Sequence, residues 1–246
     1  MRLGRIGFWY RFAVVLIKPV LLLLTSRRWI GLDNIPRTGG VIVAVNHISH
    51  ADPLPFADAM IFGAGRAPRF LAKSTLFLPT NPLRWLVAKV LRGTGQIPVY
   101  RGTANAADSL VDAVAAVQRG ELVCLYPEGT VSRDPEKWPM VGKTGIARLA
   151  LESGAPVVPI AQWGAQEILD SYRTPGLHLL PRHTITVVAG PPVDLSPWRG
   201  KPLTSTVLRE ATAAVMAEIT RLLEGVRGGQ APDQPFEFRP QARRSA

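Results

Sequence analysis

The chain has 246 residues, of which 47% are hydrophobic and 19% charged, so it is typical of one large globular domain, and disorder is excluded over most of its length. There are 29 Lys and Arg residues against 18 Asp and Glu, and the resulting formal charge of +11 favours an acidic partner. The single cysteine, Cys124, lies in an apolar run that predicts a packed side chain; it excludes a secreted disulfide scaffold and favours the cytoplasm.

The N-terminal segment predicts an amphipathic helix that lies on a membrane. Residues 6–24 are mostly apolar, but a spanning helix needs about 20 largely uncharged residues, and here Arg11, Lys18 and Pro19 interrupt the run. A signal peptide is disfavoured because no small-residue cleavage site follows. We therefore expect residues 1–26 to form an interfacial membrane helix. The alternative is an amphipathic helix that packs on its own domain.

Beyond this helix the sequence alternates between buried strands and amphipathic helices. Strands are predicted over 28–33, 41–45, 69–73, 96–100, 122–126, 157–160 and 184–188, and helices over 53–62, 82–92, 104–119, 143–153 and 203–224. This alternation implies an α/β fold, a three-layer domain with a largely parallel central sheet, over residues 27–225. The Gly-, Pro-, Gln- and Arg-rich tail, residues 226–246, is predicted to be disordered.

The positive charge is concentrated in two stretches of this sequence. Residues 1–37 carry seven basic side chains and one acidic one, and residues 59–107 carry seven basic ones and none that is acidic. Both stretches interleave these charges with large apolar side chains. Neither shows the aromatic strands or the polar recognition helix of a nucleic-acid module. An anionic membrane surface, near which each Lys or Arg contributes about 1 kcal/mol, is therefore the expected partner, and no nucleic acid is.

Polar insertions follow three of the predicted strands, at the position where functional groups gather in such sheets. The first, residues 46–53, contains His47 and Asp52. A turn into the next helix can return Asp52 to the imidazole, and a carboxylate on one ring nitrogen leaves the other as a general base. Alternatively, Asp52 only caps the helix and His47 is a loop residue. In a third interpretation His50 joins them in a metal site, but a further ligand with suitable spacing is missing.

The other two insertions offer a flexible turn and two arginines. In residues 126–134, Gly129 permits close approach of the backbone to a ligand, and Arg133 is suited to contact an anion. Arg101 follows the strand at 96–100 and suits bidentate recognition of phosphate. Taken singly, both arginines are equally consistent with ordinary surface charges.

The order of these motifs is more specific than any one of them. They read Asn46-His47-Ile48-Ser49-His50-Ala51-Asp52, Val99-Tyr100-Arg101-Gly102, Pro127-Glu128-Gly129-Thr130-Val131-Ser132-Arg133 and Val157-Val158-Pro159-Ile160. In this order the chain resembles the glycerolipid acyltransferase family, which contains the bacterial 1-acyl-sn-glycerol-3-phosphate acyltransferases. The resemblance covers residues 28–190. It departs at Thr75, where many lysophosphatidate acyltransferases carry an acidic residue.

The resemblance implies an O-acyltransferase that needs no metal and no cofactor. It would move a fatty acyl group from acyl-CoA or acyl carrier protein to the sn-2 hydroxyl of a lysophosphatidate-like acceptor, giving phosphatidate. The implied catalytic residues are His47, as general base, and Asp52, which stabilises the imidazolium. Arg101, helped by Lys73 or Arg133, would hold the acceptor phosphate, and Glu128, Gly129 and Thr130 would line the glycerol site. Backbone amides that follow Asn46 are candidate donors to the oxyanion.

Other functions stay open from the sequence alone. The acceptor could be glycerol-3-phosphate, a lysophospholipid or a glycolipid, and a non-catalytic lipid-binding protein could use the same scaffold. A metal hydrolase is a third class. Because both implied substrates carry long acyl chains, we expect the protein at the cytoplasmic face of the cell membrane, as a peripheral or monotopic protein.

Overall fold

Seven strands form one sheet in the part of the chain that the structure describes, a computed structural model of residues 7–100, 106–172 and 176–238. The strands are β1 (Thr25–Ile30), β2 (Val41–Val45), β3 (Pro68–Lys73), β4 (Ile97–Val99), β5 (Leu122–Leu125), β6 (Val157–Trp163) and β7 (His183–Ala189). The helices are α1 (Phe8–Leu24), α2 (Pro53–Asp58), α3 (Pro82–Gly93), α4 (Ala106–Gln118), α5 (Gly145–Ser153), α6 (Ala165–Ile168) and α7 (Ser205–Arg227).

The sheet is mostly parallel, as predicted. Its order is β1-β7-β6-β2-β5-β3-β4, and the five strands from β6 to β4 all run parallel. The edge pair β1 and β7 is parallel within itself but antiparallel to β6. The carboxyl ends of the five parallel strands therefore meet at one edge of the sheet, which is where the polar insertions begin.

Helices cover both faces of the sheet and make three layers, because the central strands are apolar on both sides. In β2, Ile42 and Ala44 pack in a cluster with α4, α5 and α7. The alternate residues Val41, Val43 and Val45 pack in a second cluster with α2 and its continuation. Every residue of β2 is fully buried, as in a parallel sheet covered on both faces.

Several boundaries differ from the prediction for local reasons. Strand β1 begins at Thr25, three residues earlier than predicted, because α1 leads directly into it. Strand β6 continues to Trp163, past the predicted end at Ile160, by pairing with β7. Helix α2 ends at Asp58 and the chain continues as a π-helical segment, Ala59–Ala64.

Helix α1 packs on the domain with one side and exposes apolar residues on the other. The Tyr10 hydroxyl donates to the Pro68 carbonyl, and the Lys18 ammonium lies 3.5 Å from the buried Asp58 carboxylate. Several large apolar side chains of α1 remain exposed: Phe8, Val15, Leu16, Val20, Leu22 and Leu23. Among the described residues, no helix is long and apolar enough to cross a membrane. The helix is present where it was predicted, and its association with a membrane stays a prediction.

The last helix ends later than predicted. Helix α7 runs to Arg227, so the predicted start of the tail at residue 226 falls inside it. Gly228 ends the helix in a left-handed conformation, with φ of 72°. Further along, the Phe236 carbonyl accepts a hydrogen bond of 3.0 Å from the Val141 amide. The part of the tail from residue 239 onward lies outside the described residues.

Candidate active site

The imidazole of His47 and the carboxylate of Asp52 form a hydrogen-bonded pair at the carboxyl edge of the sheet. His47 Nδ1 lies 2.8 Å from Asp52 Oδ2. The same oxygen accepts hydrogen bonds from the amides of Ile48, at 2.7 Å, and Ser49, at 2.9 Å. Asp52 is fully buried, whereas the side chain of His47 is 14% exposed. Because the carboxylate accepts from Nδ1–H, the neutral imidazole carries its basic lone pair on Nε2.

The alternative in which Asp52 only caps helix α2 is wrong. Asp52 stands at the helix start, directly before Pro53, but its side chain makes no capping hydrogen bond with that helix. The backbone of Asp52 is itself helical, so the carboxylate turns back toward the preceding loop. The residues from His47 to Asp52 therefore form a tight loop around Asp52 Oδ2. In this loop the imidazole of His47 contacts the carboxylate of Asp52.

Glu128 supports the backbone of His47 from the second insertion. Its Oε1 accepts a 2.8 Å hydrogen bond from the His47 amide, and its Oε2 accepts a 3.0 Å bond from the Met140 amide. Burial raises the pKa of Glu128 from 4.5 to about 8, against the lowering effect of these two bonds. Both oxygens are engaged inside the protein, so the structure assigns Glu128 to positioning His47. The further role implied for it, lining the glycerol site, stays a prediction.

The rest of the second insertion lies along the same edge. The Ser132 amide donates to the His47 carbonyl at 2.7 Å, which ties the two insertions together. Gly129 turns the chain with φ of +73°, a left-handed conformation that favours glycine. Gly129 and the neighbouring Thr130 are both partly exposed. The role implied for both residues, lining the glycerol site, stays a prediction.

The structure describes two of the three cationic residues that were predicted to bind the acceptor phosphate. Arg133 is exposed, and its guanidinium carbon lies 3.7 Å from the ring centroid of Tyr172 and 5.3 Å from that of Phe238. Lys73 is exposed at the end of β3 and pairs in register with Val99 of β4. Arg101 lies outside the described residues.

His50 is directed toward a different partner from His47. Its Nδ1 lies 2.6 Å from the Ser171 hydroxyl, and its ring centroid is 6.5 Å from that of His47. Burial, followed by the proximity of His47, lowers the pKa of His50 below its ordinary value of 6.5. Within the described ranges, no group of three or more His, Cys, Asp or Glu side chains could hold a metal ion.

The expected oxyanion donors after Asn46 are already engaged. All six amides from His47 to Asp52 donate to acceptors inside the protein, and these acceptors are Glu128, Asp52, Ser171 and Ser49. The structure therefore argues against these amides as oxyanion donors. The amides of this loop hold the His47–Asp52 pair, called the dyad below, and are not directed at a substrate.

The residue just before His47 is held by a pair of amide side chains that the sequence motifs did not indicate. The Asn46 side chain accepts from the Gln162 amide at 2.7 Å and donates to the Gln162 carbonyl at 3.0 Å. The Gln162 side chain donates to the Asn46 carbonyl at 3.0 Å. These bonds extend the pairing of β2 with β6 beyond its backbone ladder. The sequence signal for this pair was limited to one amide residue at the end of each strand, Asn46 after β2 and Gln162 in β6.

The family of the chain follows from a comparison with known proteins. A family model described as Acyltransferase matches residues 26–163, more than half of the chain. The chain belongs to the acyltransferase family. That match begins in β1 and ends with β6, so it includes the His47–Asp52 pair and the whole second insertion.

Two relatives within the family carry the same name. The chain is 30% identical to the chloroplastic 1-acyl-sn-glycerol-3-phosphate acyltransferase BAT2 of Brassica napus over 141 residues, which are 56% of this chain and 38% of the relative. It is 33% identical to the 1-acyl-sn-glycerol-3-phosphate acyltransferase of Borreliella burgdorferi over 132 residues, 53% of this chain and 48% of the relative. The chain thus spans less than two thirds of the length of either protein.

A solved structure shows the same fold. It is the crystal structure of the 1-acyl-sn-glycerophosphate acyltransferase PlsC from Thermotoga maritima, with a TM-score of 0.65 and 22% sequence identity. The match covers 91% of this acyltransferase-family chain and 81% of the Thermotoga chain. At this identity the comparison shows the α/β fold alone and does not bear on the reaction.

Replacing Glu128 by Gln tests whether its carboxyl group accepts hydrogen bonds from the His47 and Met140 amides. An amide side chain presents an NH2 group to one of two donors, so we expect Glu128→Gln to lower the free energy of unfolding by about 1–3 kcal/mol. Between the ordinary pKa of 4.5 and about 8, the folded wild type keeps a proton that the unfolded chain releases, so its stability falls as pH rises. The Gln variant has no such proton, and its disadvantage should shrink over that range.

Urea unfolding of both proteins near pH 5 and pH 8 measures this difference. The exposed Glu136→Gln serves as the matched control and should change the free energy of unfolding little at either pH. A Glu128→Gln penalty that stays constant from pH 5 to pH 8 would contradict the assignment of a protonated buried carboxyl.

Proposed function

We propose that the protein is a 1-acylglycerol-3-phosphate O-acyltransferase. It transfers a fatty acyl group from the thioester of acyl-CoA or acyl carrier protein to the sn-2 hydroxyl of lysophosphatidate, giving phosphatidate. The observation that carries this proposal is the 2.8 Å contact between His47 Nδ1 and Asp52 Oδ2 at the carboxyl edge of the sheet. The names of the Brassica and Borreliella relatives support the choice of acceptor.

The dyad supplies the base that the reaction needs. The acceptor hydroxyl is a poor nucleophile, and Nε2 of His47 takes its proton as the oxygen attacks the thioester carbonyl carbon. Asp52 stabilises the imidazolium that forms, while the amides of Ile48 and Ser49 hold the carboxylate in place. When the tetrahedral intermediate collapses, the C–S bond breaks, and the leaving thiolate takes the proton from His47. The acyl group passes directly to the acceptor, with no acyl-enzyme.

Stabilisation of the oxyanion is assigned to the turn after Gly129. The amides of Thr130 and Val131 make no hydrogen bond to another described residue, in contrast to the engaged amides of the His47 loop. The hydrogen bond from Ser132 to the His47 carbonyl keeps this turn beside the base. Backbone amides held this way stabilise charge without reorganising during the reaction.

The acceptor phosphate is assigned to the cations at the same edge. The guanidinium of Arg133 is held over the Tyr172 ring, which leaves its in-plane N–H groups available for a phosphate. Lys73 ends β3 beside the end of β4, and Arg101 follows β4 by two residues in the sequence. Arg133 and Lys73, together with His47 and Asp52, would place the phosphate and the sn-2 hydroxyl of one acceptor on the same edge.

The lipid substrates are expected to enter from the membrane. Helix α1 exposes Leu16 and Leu23, and helix α3, which packs against α1, exposes Leu83 and Trp85 beside basic side chains. Apolar groups of this kind bury in the headgroup region, and the Lys and Arg residues attract anionic lipid. We propose a peripheral or monotopic protein at the cytoplasmic face of the cell membrane.

Loss of the base should abolish turnover. With purified protein, acyl-CoA and lysophosphatidate, we expect His47→Ala to lower the rate of free thiol release by about 100- to 10,000-fold. His178→Ala, at an exposed histidine, is the matched control and should keep the wild-type rate. Wild-type protein without thiol release would favour the lipid-binding alternative, and an active His47→Ala variant would refute the assigned base.

Loss of either arginine should weaken binding of the phosphate and leave the chemistry intact. We expect Arg101→Ala or Arg133→Ala to raise the KM for lysophosphatidate about tenfold or more, because a charge-assisted hydrogen bond is worth about 1.5–3 kcal/mol. Their effect on monoacylglycerol, which has no phosphate, should be small, and the exposed Arg209→Ala should behave as wild type. An equal effect on both acceptors would place the phosphate elsewhere.

A charge on the exposed side of α1 should reduce membrane binding. Leu16 is 60% exposed, and we expect Leu16→Asp to lower the fraction bound to phosphatidylcholine–phosphatidylglycerol vesicles about tenfold, since a buried Leu contributes about 1.5–3 kcal/mol. Val111→Asp on α4, at a residue 67% exposed, is the matched control. Equal cosedimentation of both variants with vesicles would show that another surface binds the membrane.

A further inference from the structure

The imidazole of His47 rests on an aromatic column that runs into the core. The ring of Tyr126 lies 4.0 Å from that of His47, centroid to centroid, with 19° between the planes. Phe70 continues the stack, 6.3 Å from Tyr126 at 16°, and Phe56 meets Phe70 edge-on at 5.9 Å. Phe56 is fully buried in the core. The catalytic ring is thus backed by three aromatic side chains from separate parts of the chain.

The hydroxyl of Tyr126 is held in the same buried region. It and Oε1 of Gln162 are both buried side-chain atoms without a hydrogen bond of standard geometry. Burial raises the pKa of the Tyr126 hydroxyl well above its ordinary value, while an interaction with Gln162 lowers it. The two groups are therefore neighbours, and Gln162 is itself fixed by its three hydrogen bonds with Asn46.

We propose that Tyr126 is a positioning residue for the acyl transfer, an inference that rests on the proposed function of His47 as general base. The Asp52 contact constrains Nδ1 but leaves the imidazole free to tilt about that hydrogen bond. The flat ring of Tyr126 removes this freedom, so Nε2 keeps one direction toward the acceptor hydroxyl. Tyr126 transfers no proton and touches no reacting atom.

The stack also suits the charge that develops during the reaction. When Nε2 takes the proton of the hydroxyl, the imidazole becomes a cation bounded by the Asp52 carboxylate at one edge and an aromatic face below. Aromatic faces attract cations through their quadrupole. The contribution of the Tyr126 ring is therefore larger in the transition state than in the ground state, and its loss lowers kcat more than it raises KM.

Two substitutions separate the ring from its hydroxyl. Tyr126→Leu removes the aromatic face and keeps an apolar side chain, so we expect kcat for thiol release to fall at least tenfold with KM changed less than twofold. Tyr126→Phe keeps the face and should retain at least a third of the wild-type kcat. Equal loss in the two variants, or a wild-type kcat in Tyr126→Leu, would overturn the proposal.

A spectroscopic measurement tests the stack without relying on turnover. The chain has four histidines, so the imidazole proton signals that disappear in His47→Ala are readily assigned to His47. In the wild type and in Tyr126→Phe, these signals should lie upfield through the ring current of the stacked face, and in Tyr126→Leu they should lose that shift. Signals of His47 without an upfield shift in the folded wild type would overturn the proposal. Inactive wild-type protein that retained the shift would instead refute the proposed function and leave the stack in place.

Discussion

One carboxylate oxygen organises the candidate site. Oδ2 of the buried Asp52 accepts from the His47 imidazole and from the amides of Ile48 and Ser49, all within 2.7–2.9 Å. A buried charge is stable only when hydrogen bonds replace its lost hydration. Here the donors to Oδ2 are the loop amides and the base itself, whereas the buried Oδ1 makes no hydrogen bond within the described residues. The stability of the acid and the orientation of the imidazole therefore depend on the same contacts.

The loop that contains His47 is held by hydrogen bonds with residues far away in the sequence. Glu128 binds the His47 amide, Ser132 binds the His47 carbonyl, and Gln162 pairs with Asn46 just before it. These residues come from β5 and β6 or the loops after them, the two strands that flank β2 in the sheet. The sheet order thus explains why motifs about 80 and 116 residues from the loop act on one histidine.

The two sides of the N-terminal helix α1 have different surroundings. Lys18 and Tyr10 attach α1 to the domain, in keeping with a helix packed on its own protein. Leu16 and Leu23 face away from it, as an interfacial helix requires. A helix fixed in this way would hold the site at a constant distance from a membrane surface.

The fold class and the family resemblance could be predicted from the sequence alone, because periodicity, turn residues and short motifs are local properties of the chain. For His47 and Asp52 the sequence left pairing and helix capping both open, and the structure shows the pairing. It also indicated that Cys124 packs as a buried apolar residue, as the structure confirms. The folded structure was needed to show that Glu128 binds backbone amides, that the loop amides are already engaged, and that Tyr126 stacks on the imidazole. These contacts join residues far apart in sequence, and a linear pattern does not record which strands become neighbours.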